Sequence, residues 1–268
     1  MPPLSNISYS QEETITAIRS YYEFLTTLYL PNSAIIEPPP DGWPNITHSR
    51  MEPMGKNHRV IELLRHLPYI EEPKDDTDRK QAAPYTYMAD YQDSSLDYYL
   101  RSGKGNDLKI ITEGAAAYEN TSAHVVGLTI GGRDSPFYLL DTKLGVVHWA
   151  ECPRGPRQHP WREPVTDDVE SFAPLEEVEW RSEAPAWAIK DFFEVLKEEF
   201  RALRFVPLDE QTVLDVYTIP SSQTEGLVPL LQNIFREHGW PDSRVFRREA
   251  CLEAVRKALE ENYPEYAS

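Results

Sequence analysis

Residues 137–150 constrain this chain more than any other stretch. Phe137-Tyr-Leu-Leu140 is an apolar run, Asp141-Thr-Lys-Leu-Gly145 is a turn, and Val146-Val-His-Trp-Ala150 is a second run. The Asp141 carboxylate can accept bonds from the turn backbone, and Gly145 can take positive φ. The stretch therefore predicts a β-hairpin with a loop of a few residues. It carries no catalytic motif, so it speaks to fold more than to function.

Around this hairpin the other elements fall into order. Ser10 followed by Glu13 is a capping box, and Ile15, Ile18, Tyr22 and Leu25 repeat at helical spacing until Pro31. Pro38-Pro-Pro-Asp-Gly-Trp-Pro44 reads as a stiff corner with Trp43 buried rather than as a proline-rich ligand. A short helix is expected over 58–67, a mobile charged loop over 71–95, and strands over 109–112 and 124–130. A Pro/Trp/acid-rich insert occupies 153–187. A helix over 186–203 carries Phe192, Phe193, Leu196 and Phe200 on one stripe. A strand over 212–219 and helices over 227–238 and 247–262 complete the chain. The order predicts a single α+β domain over 1–268, with a mostly antiparallel sheet flanked by helices.

Charge narrows the partners. Forty-four acidic residues against 27 basic ones give a net charge of −17, which repels phosphate backbones and argues against nucleic acid. No apolar run is long enough to span a bilayer, and residues 1–10 lack the pattern of a secretion signal, so a cytoplasmic protein off the membrane is expected. Cys152 and Cys251 are far apart in sequence and fit two reduced thiols.

Several pieces together resemble a fungal branch of the SMI1/KNR4-like (SUKH) superfamily. They are Pro38 to Pro44, Leu63-Leu-Arg-His-Leu-Pro-Tyr69, Gly131-Gly-Arg133 leading to Leu140-Asp-Thr142, Ile189-Lys-Asp-Phe-Phe193, and Phe235-Arg-Glu-His-Gly-Trp-Pro-Asp242. The resemblance implies a compact α+β scaffold whose described roles are protein binding, without shared catalytic residues. The insert and the C-terminal helices would be additions to the minimal domain.

Chemical motifs are sparse. There is no HExxH, no paired Cys-x-x-Cys, no Gly-x-Ser-x-Gly and no Walker spacing, so neither a metal nor a cofactor is expected. His148, Cys152 and His159 could converge if the segment is a strand end and loop, but a half-buried hairpin histidine and a free thiol are the expected reading. The residues best placed for a small-molecule pocket are Tyr138, His148, Trp149 and Arg133, with Arg133 and His148 as the catalytic candidates. The stronger signal lies in 166–200, where eleven acidic residues face three basic ones and Phe172, Trp180 and Trp187 are interleaved. Glu176, Glu177, Glu179, Trp180 and Trp187 are thus the expected contacts for a partner protein with a basic surface. An interaction protein is the leading expectation, with an enzyme built on the hairpin pocket as its rival.

Overall fold

Helix α1 (Gln11–Leu28) starts at the capping box, where the Ser10 hydroxyl accepts the Glu13 amide at 3.3 Å. Ile18, Tyr21, Tyr22, Leu25 and Leu28 form its buried face. The computed structural model describes residues 3–71, 79–101, 103–132, 135–159, 162–217 and 225–267. After α1 come strand β1 (Ile35–Ile36), helices α2 (His48–Met51) and α3 (His58–His66), and strand β2 (Tyr69–Ile70), which pairs with β1. The proline-rich stretch between β1 and α2 forms the expected corner, with Trp43 half-buried against the core rather than fully buried. The Trp43 indole donates to the Leu67 carbonyl at 2.8 Å and its rings lie 6.0 Å from those of Tyr69.

The next segment departs from expectation. Residues 72–78 of the anticipated mobile loop lie outside the described residues, but 81–91 belong to the core. Ala82, Ala83, Met88, Ala89 and Tyr91 are buried. Tyr29 donates to Gln81 O at 2.5 Å, and Tyr91 donates to Gly127 O at 2.8 Å. Small and aromatic residues thus hold down a chain whose charges suggested solvent. Strand β3 (Tyr87–Met88) lies here, followed by helices α4 (Asp97–Arg101) and α5 (Gly105–Glu113). Residues 109–112 are therefore helix, not strand. The run Ile110-Ile-Thr112 has β propensity, but Leu108 and Thr112 turn inward at helical spacing, and tertiary packing overrides local preference.

The central layer follows. Strands β4 (Val125–Gly127), β5 (Thr129–Ile130), β6 (Phe137–Asp141) and β7 (Val146–Ala150) lead into helices α6 (Arg154–Arg157) and α7 (Val178–Glu183), then strand β8 (Ala186–Ala188). Four of these strands make an antiparallel sheet in the order β4-β6-β7-β8. β5 leaves that sheet at Leu128 and pairs with β3 instead. Gly127 permits the close approach of α5, since a Cβ there would sit 1.7 Å from the Thr112 carbonyl oxygen. The predicted helix over 186–203 begins late, because 186–188 form the edge strand β8. Helix α8 (Ile189–Arg201) then runs back across the sheet.

The chain closes with strands β9 (Phe205–Pro207) and β10 (Val213–Asp215), paired with each other, and helices α9 (Leu227–Glu237) and α10 (Arg248–Asn262). The expected strand over 212–219 is three residues long, and 218–219 fall outside the described residues. One apolar cluster extends from Ile18 in α1 to Leu259 in α10. The fold is α+β with antiparallel sheets, as the sequence implies.

In the hairpin, Tyr138 stands opposite Trp149 and Leu139 opposite His148. Strand alternation then sends Tyr138, Leu140, Val147 and Trp149 to the main core, against Phe192 and Phe193 of α8. Phe137 and Leu139 point the other way, into a smaller cluster with Ala117, Val125 and Trp180. Both sheet faces are covered, which is why these strands read as unbroken apolar runs.

Candidate interaction face

The hairpin turn anchors a buried charged cluster. Asp141 Oδ1 accepts the amides of Lys143 and Leu144 at 2.8 and 2.9 Å, and Gly145 closes the turn at φ +75°. Its second oxygen accepts from Arg181 Nη2 at 2.8 Å. Arg181 comes from α7 and is itself buried. It donates from Nε to Glu177 Oε2 at 2.7 Å and from Nη1 to His148 Nε2 at 2.8 Å. Glu177 Oε1 accepts the Ser122 amide at 2.6 Å, and the guanidinium lies 4.5 Å from the centre of the Trp180 ring.

This arrangement settles the state of His148. A guanidinium can only donate, so Nε2 is the acceptor and Nδ1 carries the hydrogen, which it gives to Ala184 O at 3.1 Å. Burial, reinforced by the Arg181 charge, pushes the imidazole pKa down to about 4. A second buried pair adjoins the cluster: Lys56 Nζ lies 2.5 Å from Glu113 Oε1. Burial lowers the Lys56 pKa against the pull of Glu113, and Lys56 also feels the Glu177 charge. The network fixes α7 to the sheet.

The four residues of the expected pocket do not share a wall. Tyr138 and Trp149 are buried on one sheet face, with ring centres 5.4 Å apart and Phe192 packed against both. His148 is on the opposite face and is occupied by Arg181 and Ala184. Arg133 lies outside the described residues. Aromatic side chains fill the space where a ligand cavity was expected. Cys152 and His159 form no ligand set with His148 either. Cys152 is a buried free thiol whose pKa burial pushes up to about 12, and the Arg162 amide donates to His159 Nδ1 at 3.1 Å.

The acid-rich segment divides by depth. Glu177, Trp180 and Trp187 are buried, so three of the five expected partner contacts are interior. The aromatic anchors inferred from sequence are thus core residues: Trp180 packs on His148, and the Trp187 indole donates to Arg162 O at 3.0 Å. Glu176 and Glu179 are exposed, together with Asp168, Glu170 and Glu183. Leu175, at 89 % exposure, stands among them at the start of a single 3-10 turn, Leu175–Glu177, that runs directly into α7. Between residues 163 and 189 the one basic residue is Arg181, and it is buried.

The exposed leucine was not singled out from sequence. Its signal was Pro174, which ends the preceding chain and starts a turn whose first residue need not face inward. Beside α7 runs a cleft of about 460 Å³, with Phe137, Leu139, Ala150 and Trp180 in its lining and exposed Glu151, Arg157 and Glu183 around it.

No family model, no curated protein and no solved structure matches this chain. No helix among the described residues is long and apolar enough to cross a membrane.

Proposed function

We propose that this protein is an interaction module that receives a basic partner protein on the face spanning residues 168–183. The observation that carries the reading is Leu175, fully presented to solvent amid five exposed carboxylates with no exposed cation between 163 and 189. Long-range attraction to the carboxylates would steer a basic partner, and desolvation of Leu175 would hold it. The clamp beneath, from Arg181 to Asp141, Glu177 and His148, keeps the face rigid and lowers the entropy lost on binding. Protein binding is also what the SMI1/KNR4-like resemblance implies. Two buried free thiols fit a cytoplasmic setting.

The test compares partner capture by the wild type, by E176Q/E179Q/E183Q, by L175S, and by the equally neutralised E249Q/E253Q/E260Q on α10. Loss of the same partner in the first two variants, with retention in the α10 control and weakening by salt, is the expected result. Equal loss in both neutralised triples would reduce the effect to net charge. Retention in every variant would rule the face out.

A further inference from the structure

Helices α2 and α3 bring together three side chains that the interaction face does not use. His48 opens α2, His58 opens α3, and Glu62 follows one helical turn after His58. The two histidines are ten positions apart in the chain, so no ligand spacing was visible in the sequence. In the fold, His48 Nε2 and His58 Nδ1 face each other at 2.5 Å, with the rings stacked at 4.7 Å between centres. One donor atom from each of the three residues lies within 4.8 Å of the other two.

We propose that His48, His58 and Glu62 form a surface site for a divalent transition-metal ion of the zinc class. Two imidazole nitrogens that face each other cannot both carry hydrogen, so at least one lone pair points into the gap. Two imidazoles and one carboxylate suit zinc, nickel or copper, whereas calcium and magnesium require an oxygen-rich set. Zinc–nitrogen bonds of about 2.0–2.1 Å in tetrahedral geometry hold two ligand nitrogens roughly 3.3 Å apart. The rings must therefore part slightly, and both histidines are exposed, with solvent on one side to move into. The helix N-termini beneath the histidines oppose a cation, and the Glu62 carboxylate offsets them. Three protein ligands leave a position open to water. An ion here would tie α2 to α3 across the connection that turns at Gly55 (φ +64°).

The test is calorimetric titration of Zn²⁺ into the full chain after chelator stripping and removal of the chelator, at neutral pH. One equivalent is expected to bind. H48A and H58A should each weaken it by roughly tenfold or more, and E62Q by less. H238A, remote from the trio, should leave it unchanged, and Ca²⁺ should give no heat. Zinc should also raise the melting temperature of the wild type but not of H48A/H58A. Circular dichroism of each variant separates lost binding from lost fold, and exposed histidines make the first the expected result. Absence of saturable zinc binding, or undiminished binding in H48A/H58A, would overturn the site.

Discussion

The two faces of the central sheet bury comparable strands by different means. One presents Tyr138, Leu140, Val147 and Trp149 to the aromatic wall of Trp187, Phe192 and Phe193, and its cohesion is area and shape. The other carries a small apolar cluster next to Asp141, His148, Glu177 and Arg181, and its cohesion is a set of directed bonds. Simple truncation does not tell the two faces apart. Arg181→Ala strands two buried carboxylates and should cost about 3–5 kcal/mol. Phe192→Ala leaves a cavity and should also cost about 3–5 kcal/mol. Urea denaturation of both variants checks this, and a loss below about 1 kcal/mol for Arg181→Ala would show that the charged cluster is not a clamp.

Proton binding distinguishes the faces more sharply. His148 is held neutral in the fold, with its pKa near 4, while an unfolded histidine titrates near 6.5. Between those values the unfolded chain binds a proton that the folded chain refuses. Stability is therefore fully present above pH 6.5 and falls as the pH drops toward 4, by about 3 kcal/mol from this group alone. Burial lowers the pKa of His124 and His159 as well, so they act in the same direction. Urea midpoints from pH 7.5 to 4.5, measured for the wild type and for His148→Gln, isolate the His148 share. A profile of the same steepness in the variant would mean that His148 is not held neutral. The aromatic face contributes no such slope.

Conservative substitutions give a smaller contrast. Trp149→Phe keeps an aromatic ring in the wall and should cost about 1–1.5 kcal/mol. Arg181→Lys keeps the charge but loses the fork that reaches Glu177, Asp141 and His148 together, and should cost about 2 kcal/mol. A chemical-denaturation series in which lysine proved the milder change would invert the assignment of the faces.

How much of this was legible follows from what each residue does locally. The hairpin could be read because Asp141 and Gly145 are turn residues acting within their own loop. Helices α1, α3 and α8 could be read because their stripes and caps are local too. The strand expected over 109–112 became helix because its deciding contacts, with the Glu52–Met54 turn, β4 and β5, are distant in the chain. The segment 166–200 was read as one acidic-aromatic surface because composition records charge and ring but not depth. Only the partners of Glu177, Trp180 and Trp187, supplied by the hairpin, by Ser122 and by α8, turn those side chains inward. The trio of His48, His58 and Glu62 was hidden for the same reason: two helices must meet before it exists.

The finest division in the molecule lies between Glu176 and Glu177, adjacent carboxylates with opposite settings. Glu177 accepts from Ser122 N and Arg181, so Glu177→Gln weakens a charged pair inside the fold and should cost about 1–3 kcal/mol. Glu176 faces solvent, and Glu176→Gln should stay within about 0.5 kcal/mol of the wild type. Thermal melts at one pH compare the two directly. A destabilisation by Glu176→Gln matching that of Glu177→Gln would place the outer carboxylate in the clamp and remove it from any face offered to a partner. The expected near-zero effect leaves Glu176 available for binding at no cost to the fold, so its loss can be read in partner affinity alone.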